Sequence, residues 1–139
     1  MQATQQILSS ARTQFRIAVG ALFFLQGLCF ATWASRIPTI QQSLGIGEAA
    51  LGAVLLSLTV GSLLSLLFSG AVVSRWGSKK VIQVVLLLYP LCLFFISTAI
   101  SVPLLVTTLV FFGAAGNLSN IAINTQAVAV EKLYGRSIM

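Results

Sequence analysis

The sequence predicts an all-α membrane protein with four transmembrane helices, and three observations carry that reading. Of its 139 residues 58% are hydrophobic and only 7% are charged. A water-soluble domain carries about a quarter of its residues as Asp, Glu, Lys and Arg, so lipid must be the solvent of most of this surface. Four apolar stretches are each long enough to cross about 30 Å of hydrocarbon, which takes roughly 20 helical residues. The breaks between them are short, so neighbouring helices run antiparallel and both ends of the chain fall on one side.

The segment 1–16 carries Arg12 and Arg16 and leads into the first span, 17–37, which is uncharged until Arg36. Pro38, Gly45 and Gly47 punctuate its end. A basic start before an apolar run also fits a signal sequence, but the run is long for one and three more spans follow. The second span, 48–73, ends at Trp76, Gly77 and Ser78. The third, 80–100, has almost no polar face, which predicts that it is mostly lipid-facing. Pro90 in its middle removes a backbone hydrogen bond and predicts a kink. Ser101, Val102 and Pro103 separate it from the fourth span, 103–130, after which 131–139 forms a terminal segment.

Cytoplasmic loops are enriched in Lys and Arg. One orientation places Arg12, Arg16, Arg75, Lys79, Lys80, Lys132 and Arg136 inside and only Arg36 outside, so both termini are expected in the cytoplasm. The net charge of +6 does not make a nucleic-acid partner, because the cations are dispersed and such a partner needs a contiguous basic face. There is no His, and the only acids are Glu48 and Glu131. Hydrolytic and metal-dependent mechanisms therefore lack their parts, and the sequence points to no enzyme, no metal and no cofactor. Cys29 and Cys92 lie within apolar runs, where cysteine behaves as a small hydrophobe, and a disulfide framework is not expected.

Inside a membrane a polar side chain needs a partner or water, so polar stripes mark protein-facing or water-facing sides. At 3.6 residues per turn, Gln26, Cys29, Trp33 and Arg36 share one face of the first helix, and Asn117, Asn120 and Asn124 share one face of the fourth. Interhelical hydrogen bonding and a water-filled pathway are the two readings. Three amides on one face favour the pathway, which makes Gln26, Trp33, Arg36, Asn117, Asn120 and Asn124 the candidate cavity residues. The second helix repeats small residues every four positions, Ala53, Ser57, Gly61, Ser65 and Ser69. That spacing lets another backbone approach closely, and Ser57, Gly61 and Ser65 are its expected packing edge.

Residues 70–80 read Gly-Ala-Val-Val-Ser-Arg-Trp-Gly-Ser-Lys-Lys. They resemble the loop signature of the major facilitator superfamily, Gly-x-x-x-Asp-Arg/Lys-x-Gly-Arg/Lys-Arg/Lys, which lies between that family's second and third helices. Gly70, Arg75, Gly77, Lys79 and Lys80 fit it, Ser78 is inserted before the cation pair or replaces its first member, and Ser74 stands in the place of the acid. The stretches 30–38 and 124–132 resemble a bacterial inner-membrane branch, the YbjJ-like permeases, related to sugar-permease-like members.

The resemblance implies a twelve-helix carrier of two six-helix halves working by alternating access in the bacterial inner membrane, of which these are the first four helices. It implies that the first and fourth helices line the central cavity, and that the second belongs to the interface between halves. The family's Asp takes part in a charged latch, which Ser74 cannot supply. No Arg occurs in 107–116, where proton-coupled drug exporters carry one. Four helices are fewer than a six-helix half, so the chain is expected to be an N-terminal portion whose missing partner is helices five to twelve and which does not transport alone. The alternatives are a small four-helix scaffold or assembly subunit that uses the Ser57, Gly61 and Ser65 edge as an oligomer contact, or an oligomeric small exporter. Amides, an indole and one guanidinium suit a neutral polyol or sugar, or a small anion near Arg36; the solute is otherwise unknown.

Overall fold

A computed structural model describes the backbone of residues 2–134 and the side-chain surroundings of residues 13–132. Arg136 and the side chain of Arg12 lie outside what is so described. The chain forms α1 (Gln2–Leu44), α2 (Glu48–Trp76), α3 (Ser78–Ser97) and α4 (Val102–Tyr134). Each contains a stretch long and apolar enough to cross a membrane.

Local chemistry explains where each helix stops. α1 runs straight through Pro38, which the sequence marks as a break, and continues to Leu44. The proline deletes one backbone donor, a loss that a long apolar helix tolerates. The stop comes instead at Gly45, whose φ of +62° reverses the chain. Gly45 N–H donates to Gln42 C=O and Ile46 N–H to Gln41 C=O, both at 3.2 Å, the paired closure of a Schellman motif.

Between α2 and α3 the turn is a single residue, Gly77, at φ +79°. Its N–H donates to Val73 C=O at 2.9 Å and its C=O accepts from Val81 N–H at 3.2 Å, so the two helices share it as stop and start. α3 ends where Thr98 turns its hydroxyl back to Phe94 C=O at 3.0 Å. Pro103 then falls in the first turn of α4, where no N–H is needed.

α4 is the hub of the bundle, packing against all three other helices. It buries Leu105, Leu109, Phe112, Ala115, Ala122, Ile123, Ala127 and Val130, a helical repeat that covers more than one face. Against it α3 lays Val81, Val85, Tyr89, Cys92 and Ile96, spaced by four, four, three and four residues. One side of α3 thus packs on α4, while most of its residues, among them Val84, Leu87, Leu91 and Phe94, point outward. Hydropathy alone does not mark which side that is, because it does not distinguish lipid from an apolar neighbour.

α2 and α4 meet most closely of all. A Cβ added at Gly61 would sit 2.0 Å from Val110 O, and one added at Gly113 would sit 2.1 Å from Leu58 O. Each glycine is the recess that admits the other helix's backbone. Ser62 Oγ donates to Gly113 C=O at 3.1 Å, and Ser65 Oγ donates to Ala114 C=O at 2.9 Å. Gly61 and Ser65 of the small-residue edge thus face α4 within the chain. Ser57, at the edge's other end, is buried and donates to Val54 C=O in its own helix.

α1 is the least embedded helix, contributing Val19, Trp33 and Ile40 to the core. The outer surface carries large apolar side chains, among them Leu63, Leu67 and Phe68 on α2. An apolar expanse of this kind is untenable in water and natural in hydrocarbon.

Candidate functional site

The polar residues of α1 and α4 converge halfway along the bundle. Gln26 Nε2 on α1 donates to the backbone carbonyl of Gly116 on α4 at 3.1 Å. A carbonyl can only accept, so this contact sets the amide orientation and turns Oε1 away from Gly116. Oε1 is buried and has no hydrogen-bond partner among the described residues. Beside it lies a cavity of about 210 Å³, lined among others by Gln26, Ser62, Tyr89, Phe112, Asn117 and Asn120.

The asparagine stripe divides. Asn117 is half-buried, and its Nδ2 reaches Ser69 Oγ on α2 at 3.3 Å. Asn120 and Asn124 are exposed, and Asn124 Nδ2 donates to Asn120 Oδ1 at 3.1 Å. Of these three residues Asn117 and Asn120 line the cavity beside Gln26, while Asn124 lines a separate groove with Lys132.

The α1 stripe also spreads over several environments. Trp33 is buried, 7% exposed, with its ring centroid 5.3 Å from Phe30 and 6.0 Å from Phe112. Phe112 in turn stacks on Tyr89 with centroids 4.2 Å apart and planes at 2°. The aromatic residues thus form a connected wall from α1 through α4 to α3. Cys29 borders a second cavity of about 240 Å³, which shares Gln26 and Tyr89 with the first and is otherwise lined mainly by apolar residues such as Leu22 and Val85. Arg36 is exposed and borders neither cavity.

Tyr89, Phe112 and Ser62 are among the lining residues that the sequence alone does not single out. Tyr89 was concealed in a span that reads as uniformly apolar, although a tyrosine hydroxyl next to Pro90 was a signal. Phe112 carries no polar atom, and nothing in the sequence separates it from Phe111. Ser62 lies beside the four-residue ladder of α2, outside its spacing, so the ladder does not mark it.

No group of His, Cys, Asp and Glu suited to a metal occurs among the described residues. The lining of the first cavity offers amides, hydroxyls and ring faces without a formal charge. Such a set can exchange hydrogen bonds with a neutral solute and present it an apolar wall. It contains no acid, base or activated nucleophile for covalent chemistry.

No family model matches the chain, and no solved structure matches it. Among curated proteins it is similar to an uncharacterized MFS-type transporter of Yersinia pestis, 34% identical over 128 residues, which is 89% of this chain and 32% of that protein. It is similar also to the uncharacterized transporter y4wD of Sinorhizobium fredii, 31% identical over 87% of this chain and 32% of that protein. A third relative is membrane protein MosC of Rhizobium meliloti, 33% identical over 83% of this chain and 28% of that protein. The chain therefore spans about a third of the length of the curated relatives it matches. With four apolar helices and this identity over most of its own length, the chain is a multi-pass membrane protein of the major facilitator superfamily.

Proposed function

We propose that the chain supplies the first four helices of a secondary transporter that moves a small solute across the bacterial inner membrane by alternating access. The observation that carries this reading is the mid-bundle cavity where Gln26, Asn117 and Asn120 meet an aromatic wall. An intramembrane cluster of amides facing a cavity is the arrangement that a solute pathway requires. The uncharged lining favours a neutral, hydroxyl-rich solute over an anion, since Arg36 stands away from it. The cations Arg75, Lys79 and Lys80 at the α2–α3 turn favour a cytoplasmic location for that turn and for both termini.

Alternating access needs a second body for this one to rock against. Helices five to twelve are its proposed partner, and the chain alone is expected to insert in the bilayer without saturable solute uptake in proteoliposomes. The test of the pathway uses single cysteines in a chain with Cys29 and Cys92 replaced. Cysteine at Asn120 or Asn124 should react with a water-soluble thiol reagent in membranes, and cysteine at Leu67 or Leu87 should not. Equal reactivity of the two sets would remove the pathway assignment. Reporter fusions at Gln42 and Ser78 test orientation: a periplasm-only reporter active at Ser78 and silent at Gln42 would reverse it.

A further inference from the structure

We infer that Gln126 is a positioning residue that clasps the α2–α3 turn to α4 through an uncharged hydrogen bond. Gln126 Nε2 donates to Ser78 Oγ across 48 residues of chain. Gln126 is half-buried, next to the core residue Ala127 and three positions after Ile123. Ser78 opens α3 immediately after the one-residue turn at Gly77. A turn that short has no slack, so holding Ser78 holds the end of α2 and the start of α3 together.

The surrounding residues leave this task to the neutral pair. Ser74, standing where the loop signature has an acid, donates to Ala71 C=O in its own helix at 3.0 Å and reaches no other element. Arg75, Lys79 and Lys80 are exposed, and none of them makes an ion pair among the described residues. Ser78 occupies the position where the signature is interrupted or its first cation replaced. An amide–hydroxyl contact in this place carries no net charge, so salt does not screen it as it screens an exposed ion pair. The clasp is independent of the solute assigned to the cavity.

Limited trypsin digestion of the full chain in detergent tests this, because Arg75, Lys79 and Lys80 are cleavage sites within the turn. Cleavage of a folded chain tracks the population of the locally opened form. One neutral hydrogen bond corresponds to about a two- to tenfold change in that population. Gln126→Leu should accelerate cleavage in the turn by this factor, Ser78→Ala should do the same, and the double variant should be no faster than either single one. Gln126→Glu, whose carboxylate accepts from the Ser78 hydroxyl, should keep the original rate. The ratio of variant to parent should hold between about 0.05 and 0.5 M salt. Arg36, at the opposite end of the bundle, is the internal reference and should be cleaved at an unchanged rate. The clasp is overturned by an unaccelerated Gln126→Leu, by additive single effects, by a ratio that collapses in high salt, or by equal acceleration at Arg36 in both single variants.

Discussion

Replacing Gly61 by alanine tests the close approach of α2 and α4 at its tightest point. The new Cβ would lie 2.0 Å from Val110 O, 2.7 Å from Val110 C and 2.8 Å from Val110 Cα. All three are backbone atoms, so no side chain can rotate to make room. Relief to an ordinary contact requires the helices to part by about 1 Å or more, in an interior packed to near-crystalline density. Overpacking of this kind costs about 1–3 kcal/mol. Parting also stretches the Ser62 and Ser65 bonds to α4, now 3.1 and 2.9 Å, each worth about 0.6 kcal/mol in a membrane. The expected loss is about 2–4 kcal/mol for Gly61→Ala, and Gly113→Ala should match it because its Cβ meets Leu58 O at 2.1 Å. Gly27→Ala and Gly52→Ala are the controls: nothing lies within 4 Å of either added Cβ, and helix propensity favours alanine there by up to about 1 kcal/mol. Reversible unfolding in mixed micelles, followed by helical circular dichroism, measures all four. A Gly61→Ala chain as stable as Gly52→Ala would refute the packing argument.

Other perturbations read different parts of the site. Gln26→Leu removes both the Gly116 contact and the orphaned Oε1; because an unpaired buried acceptor costs about 1–3 kcal/mol, its unfolding midpoint should equal or exceed that of the parent, and a large fall would mean that Oε1 has a partner. Phe112→Ala deletes the centre of the aromatic wall and should cost about 3–5 kcal/mol; in a Trp76→Phe background the remaining indole, Trp33, should shift its emission to longer wavelength, and an unmoved spectrum would contradict its seat on Phe112. Asn117→Leu breaks the contact to Ser69 at 3.3 Å and should destabilise by about 0.6 kcal/mol, whereas Asn124→Leu, on the exposed side, should leave stability within about 0.5 kcal/mol; the opposite ranking in the same unfolding assay would reverse the division of the stripe.

The helices were legible because charge is so sparse that its positions bracket the apolar runs. The finer geometry was not, for identifiable reasons. Pro38 reads as a stop in a propensity argument, yet only one donor is lost there and the glycine seven residues later holds the positive φ that ends the helix. The four-residue ladder from Ala53 to Ser69 announced a close neighbour without naming which helix it was. Asn117, Asn120 and Asn124 fall within about 60° of helix circumference, wide enough to straddle two neighbours, so equal spacing did not imply equal surroundings. Gln126 and Ser78 are unremarkable singly and meet only through the fold.

The position of α4 as hub bears on how the chain is made. Synthesis delivers α1, α2 and α3 first, and these touch one another only sparsely. The glycine recess of α2 and the apolar row of α3 both await the last of the four helices. Most of the packing that holds the bundle together can therefore form only once residues 102–134 enter. A nascent chain arrested before Val102 should remain unassembled, its serines open to any other helix that drifts past, so the completion of α4 is the step that commits the bundle to its own contacts.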